Sequence, residues 1–197
     1  MPGITSTLNA VRDPILAAAE AVSRRSPEKN QAINPGFDEE RPAGKNEKDL
    51  VVMDWQSGAV PGFAQWQSDD SKGTFSWDKN SKSGKMQAVT NGCFIQKYRV
   101  RSGEKFLVEV ESNGEGDRVL IARWQTPDGK WTSWDQDRSF GFKVQSDKHE
   151  LARGIVTVPE KAGQLVLLLM ATHQKANESC LFNKLGVYRL QDLLKPK

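Results

Sequence analysis

The sequence predicts an all-β protein, an antiparallel β-sandwich with one N-terminal α-helix. Three observations carry that prediction. Short apolar runs recur from Ile33 to Leu190 with no helical run between them, which is the spacing of a sandwich or barrel. Several runs alternate: Phe106, Val108 and Val110 face one way, and Leu107, Glu109 and Glu111 the other. Turn chemistry separates them, most clearly at Pro127-Asp128-Gly129, Ser102-Gly103-Glu104 and Asn113-Gly114-Glu115-Gly116-Asp117.

The helix comes first. Asp13 is a good N-cap, Pro14 fits the first helical position, and Ile15, Leu16, Ala19 and Val22 share one face. Arg24 and Arg25 suit the negative C-terminal end, and Ser26-Pro27 stops the run. The apolar stripe requires a packing partner, either the sandwich or a further domain. After the turn Asn34-Pro35-Gly36, strands are expected at Leu50–Trp55, Phe63–Trp66, Thr74–Trp77, Met86–Thr90, Phe94–Val100, Lys105–Ser112, Arg118–Gln125, Phe140–Val144, Glu150–Val158, Gln164–Thr172 and Leu181–Leu190. The charged, Pro- and Gly-bearing stretch Asp38 to Asp49 reads as an exposed loop. The expected division is a helical segment or linker over 1–32, the sandwich over 33–191 and a tail over 192–197.

Bulk properties exclude several classes. The chain has 197 residues and a formal net charge of +3, too small an excess to argue for nucleic acid. No stretch reaches the roughly 18 apolar residues of a membrane helix; the longest run, Leu165 to Ala171, is of strand length. The N-terminus has no basic segment leading into an apolar core, so no signal peptide is visible. Cys93 and Cys180 each start a strand-like run. They read either as a disulfide or as two small buried apolar residues.

Catalytic machinery is not legible. His149 reads as an exposed residue in a charged stretch and His173 as a rim residue after the most apolar strand. No Ser/Cys-His-Asp pattern accompanies them. Asp128, Asp135 and Asp137 form the nearest carboxylate cluster, in a polar loop where carboxylates are solvated. A binding site has better material in six tryptophans, since sugars stack their C–H faces on aromatic rings while a few placed polar groups fix their hydroxyls. Trp124 shares a face with Leu120 and Ala122, and Trp55 follows Val51 and Met53 at period two, so both read as core. Trp77 is open between core and surface. Trp131 and Trp134 flank a polar turn and Trp66 lies between Gln65 and Gln67. These three, with Arg123 and Gln125 pointing opposite to Trp124, are the candidate carbohydrate-binding residues.

A succession of motifs supports the binding reading. Asn34-Pro35-Gly36-Phe37-Asp38, Ser83-Gly84-Lys85-Met86-Gln87, Gln96 to Phe106, Val119 to Lys130, Thr157-Val158-Pro159-Glu160 with Leu165 to Leu169, and Leu181 to Tyr188 follow one another. Together they resemble the galactose-binding-like jelly-roll carbohydrate-binding modules attached to xylanases and other polysaccharide-degrading enzymes. The resemblance implies a non-catalytic accessory module that binds polysaccharide or oligosaccharide beside the catalytic domain of a parent enzyme. It also implies an extracellular or periplasmic location, without nucleic-acid or membrane partners. It further implies a structural calcium held by Asp38 and by Asn183, the latter standing where the group usually carries an aspartate. The alternative is a structural or interaction domain of the same fold that packs on a catalytic neighbour through the helix and binds no sugar.

Overall fold

The computed structural model describes residues 13–39, 58–142 and 146–195. The expected strand Leu50–Trp55, with Trp55 itself, and most of the charged loop lie outside these residues. Helix α1 spans Pro14–Ser23. Ten strands follow: β1 Ala64–Gln67, β2 Thr74–Asp78, β3 Ser83–Gln87, β4 Asn91–Arg99, β5 Lys105–Gly114, β6 Asp117–Gln125, β7 Arg138–Gly141, β8 Ser146–Thr157, β9 Gln164–Thr172 and β10 Ser179–Arg189. A one-turn helix α2, Leu190–Leu193, closes the chain. Two five-stranded sheets result, one ordered β1-β4-β9-β6-β7 and the other β2-β3-β10-β5-β8. Every pairing between these strands is antiparallel, so the predicted all-β antiparallel sandwich is the fold observed.

The core lies between the sheets. Phe106, Val108 and Val110 of β5, Leu120, Ala122 and Trp124 of β6, and Leu165, Leu167 and Leu169 of β9 all point into it. Trp124 is 1% exposed, as its alternation predicts. Its indole donates to the Gln136 carbonyl at 3.0 Å, so the buried N–H has a partner. Trp77 is half-buried, packs against the core and donates from Nε1 to the Phe37 carbonyl at 2.7 Å.

At the chain ends one open alternative is settled and two boundaries fall elsewhere than expected. First, α1 packs on the outer face of the second sheet. Ala19, with Leu16 and Val22, meets Leu107, Tyr188, Leu190 and Leu193. Ile15 stands off that face, 47% exposed, because the buried row of this short helix runs through residues 16, 19 and 23. Second, the 192–197 tail begins later than expected, since Leu193 is 1% exposed in this contact. Third, the sandwich reaches back before residue 33. Ala32 is fully buried, the Gln31 amide donates to the Val187 carbonyl, and Asn30 Oδ1 accepts from the Val187 amide at 2.9 Å.

The Asn34-Pro35-Gly36-Phe37 segment is a turn, as its chemistry predicts. Asn34 and Phe37 both adopt positive φ (46° and 54°), outside the β region of regular strands. The Asn34 carboxamide explains the turn. Its Oδ1 accepts from the Asp38 and Glu39 amides, and its Nδ2 donates to the Pro61 carbonyl. The turn plugs Phe37 into the core against Phe63, ring centroids 4.6 Å apart. In β10 a bulge between Asn183 and Gly186 keeps Phe182 and Val187 both facing inward.

Both cysteines are free and buried. They sit on different layers, Cys180 between the sheets and Cys93 in the cluster on the outer face of the first sheet. Burial pushes both thiols up to about 12. The pair therefore follows the small-buried-residue alternative and not the disulfide.

Candidate functional site

The outer face of the first sheet carries a groove. Residues 91, 93, 95 and 97 of β4 point outward, and their register places Met170, Leu168 and Val166 of β9 beside 93, 95 and 97. Ile121 and Arg123 of β6 continue the rows from Leu168 and Val166. On the other side β1 sets Trp66 beside Cys93. The result is a groove of about 680 Å³ lined by Trp66, Asn91, Lys97, Arg123, Trp131 and Asp137 around an aliphatic floor. That volume falls within the roughly 300–1,000 Å³ of small-ligand sites.

The turn after β6 positions the second tryptophan. The Thr126 amide donates to the Lys130 carbonyl and the Gly129 amide to the Thr126 carbonyl. Gly129 sits at φ +85°, a conformation costly for residues with a Cβ. The chain folds back so that Trp131 bridges Gln125 and the Thr132 amide donates to the Trp124 carbonyl. Trp131 is left 48% exposed, and Trp66 47%.

Arg123 ties this end of the groove together. Its Nε donates to Asp137 Oδ2 at 2.7 Å, and its guanidinium lies over the Trp131 ring, 4.2 Å from the centroid. Stacking and ion pairing hold the ring and guanidinium in one orientation. Lys97 stands in the same row, and burial lowers its ammonium pKa.

The predicted site residues divide into those the groove gathers and those it does not. Trp66, Arg123 and Trp131 line it. Gln125 is not among the lining residues and is 5% exposed, with Oε1 buried and unpartnered. Its backbone bridge to Trp131 packs the loop close to the end of the strand. Trp134 is 80% exposed on the one-turn helix Trp134–Gln136, away from the groove lining. Asn91, Lys97, Asp137 and the aliphatic floor were not among the sequence candidates. The alternation rule hides the floor, because in β4 the polar Gln96 points inward while Cys93 and Ile95 point outward. Gln96 is satisfied inside, donating to the Ile33 and Gly62 carbonyls.

Among the groove-lining residues the only carboxylate is Asp137, and it is engaged by Arg123. Of the other carboxylates in that loop, Asp128 pairs with Lys130 at 3.0 Å and Asp135 is exposed. His173 lies on the rim as expected, its Nδ1 2.8 Å from Asp117 Oδ2, and His149 is exposed.

The residues expected to hold calcium fit that ion incompletely. Asn183 Oδ1 is buried with no partner, an orphan acceptor of the kind a cation satisfies. Asp38, however, already has the Lys82 ammonium 3.3 Å from Oδ2. Among the described residues no three acidic, histidine or cysteine side chains gather around one point, whereas calcium takes roughly six to eight oxygens.

No family model matches the chain. No curated protein matches it either. Solved structures do. The enzymatically active domain of tailspike protein 4 from bacteriophage CBA120 aligns with a TM-score of 0.56 at 13% identity, over 83% of this chain and 22% of that one. The chain thus spans about a fifth of that tailspike domain. A CBM4 module aligns with a TM-score of 0.49 at 14% identity, over 73% of this chain and 95% of the module. The CBM22-1 xylan-binding domain of Paenibacillus barcinonensis Xyn10C aligns with 0.48 at 13%, over 75% and 98%. The similar solved structures are mainly carbohydrate-binding modules of xylanases and other glycoside hydrolases. At such identities the likeness is one of fold.

Proposed function

We propose that the chain is a non-catalytic carbohydrate-binding module that holds a glycan in the groove between Trp66 and Trp131. The observation that carries this reading is their convergence. Two half-exposed indoles from distant parts of the sequence border one groove, and a guanidinium is fixed against one of them. Aromatic faces receive sugar C–H surfaces, while Arg123, Asp137, Lys97 and Asn91 lie at the groove's ends to bond hydroxyls. Attachment to a polysaccharide-degrading enzyme and an extracellular setting belong to the same proposal, and rest on the company the fold keeps. The structural alternative loses its proposed contact, because Leu16, Ala19 and Val22 of the helix are occupied by the chain's own sandwich.

Screening the purified chain on a glycan array and by affinity electrophoresis tests the reading. Retardation by at least one polysaccharide, abolished in Trp66→Ala/Trp131→Ala, is the expected result. No binding across neutral and acidic polysaccharides would overturn it. Calcium at Asp38 and Asn183 is a separable part of the proposal. It rests on the orphan Asn183 oxygen and requires displacement of Lys82. A calcium-dependent rise in Tm that EDTA reverses and Asn183→Ala abolishes supports it; identical melting in calcium and EDTA removes it.

A further inference from the structure

The groove floor specifies what part of a sugar can lie on it. Its centre consists of Leu168 and Met170 from β9 and Ile121 from β6, which are half-buried, together with Cys93 and Ile95 from β4 and Val166 from β9, which are buried. None of these side chains carries a hydroxyl, carboxamide or charge. The backbone offers nothing more. The floor segment of β4 is paired to β1 on one side and β9 on the other, and β9 is paired to β4 and β6, so their amides and carbonyls are committed to the ladders. Polar side chains of the lining stand only at the ends, Asn91 at one and Lys97, Arg123 and Asp137 at the other. A bare sugar hydroxyl pressed against this floor loses its water and gains no partner, which costs about tenfold in affinity or more. A methyl group placed there is buried at a gain.

We propose that this groove takes glycans bearing methyl groups, as O-acetyl or 6-deoxy substituents, and sets those groups against Ile121, Leu168 and Met170, the half-buried side chains of the floor. The inference rests on the glycan-binding reading and names its substrate class. The two tryptophan walls hold the ring, the polar ends read its remaining hydroxyls, and the floor selects the substituent.

Matched ligands test it by isothermal titration calorimetry and affinity electrophoresis. One arm compares O-acetylated xylan and O-acetylated glucomannan with the same polymers after mild alkaline deacetylation. The other compares rhamnose- and fucose-containing oligosaccharides with their mannose and galactose counterparts. At least tenfold tighter binding of the methyl-bearing member in one arm is expected, and the arm says which substituent supplies it. Leu168→Thr, folded as judged by its melting transition, should bring the two members within threefold. Equal or tighter binding of the bare sugars overturns this inference and leaves the glycan-binding reading standing. Discrimination that survives Leu168→Thr unchanged overturns the assignment to the floor. Failure of every polysaccharide to bind overturns both readings.

Discussion

Replacing Trp131 by alanine removes one wall of the groove and leaves the sandwich intact. The indole is 48% exposed, and its protein contacts within the groove are chiefly the Arg123 guanidinium at 4.2 Å. A tryptophan side chain presents roughly 150–250 Å², so a ligand covering the exposed half buries on the order of 100 Å². At about 25 cal/mol/Å² that contributes up to about 2.5 kcal/mol, or on the order of 50-fold in Kd. Ordering the ligand takes back part of it, so a loss of about 10- to 50-fold is expected for Trp131→Ala on a glycan the wild type binds. Stability should fall by only about 1 kcal/mol, because an exposed cation–π contact is worth about that much. Calorimetric titration and urea unfolding of the same preparations measure both. Trp134→Ala is the matched control. That ring is 80% exposed but lies outside the groove lining, so its loss should change Kd less than threefold. A Trp131→Ala protein that binds as well as wild type, or a larger loss at Trp134 than at Trp131, would refute the placement of the site.

Three further outcomes follow from the packing. Trp124→Ala should cost about 3–5 kcal/mol in urea unfolding, because it empties a large core position and strands the Gln136 carbonyl. Neither cysteine should react with a disulfide reagent in the native protein, and both should react in urea, since both thiols are buried with their pKa pushed up to about 12. Fast native labelling of one equivalent would show that the groove floor at Cys93 is more open than described. Glu109 has its carboxyl pKa raised, first by burial, with the Arg153 guanidinium opposing and the Glu20 carboxylate adding. The folded state therefore holds that proton more tightly than the unfolded chain. Stability should fall as pH rises from the ordinary glutamate value through the folded one. Glu109→Gln should remove that slope in unfolding free energies measured between about pH 4 and about pH 8, and an unchanged slope would refute the assignment.

The parts of the fold that were legible are those where one face of a strand is wet and the other dry. In β5 the alternation of Phe106, Val108 and Val110 with Leu107, Glu109 and Glu111 marks the core face directly. In β6 it separates Trp124 inside from Arg123 outside. The groove escaped the same logic because its floor is apolar on both sides of the sheet. The run Leu165 to Ala171 reads as the most apolar strand, and Leu165, Leu167, Leu169 and Ala171 face the core. Its other face lines a ligand-sized groove, with Leu168 and Met170 half-buried and Val166 buried. Alternation cannot separate a floor from a core when both are aliphatic.

Gln96 deepened the concealment. A glutamine between Ile95 and Lys97 looks like the solvated face of β4, yet it points inward and fastens Ile33 and Gly62. It shares the inward face with Phe94 and Tyr98, both in the core, so Cys93 and Ile95 face outward. Its work is to anchor the N-terminal segment across the end of the sandwich. The aliphatic side chains on the opposite face of the strand line the groove. Gln96→Leu should weaken the attachment of the Ile33 segment, read as a lower midpoint in urea unfolding, while Phe94 and Tyr98 keep the outward floor, and glycan selectivity with it, unchanged.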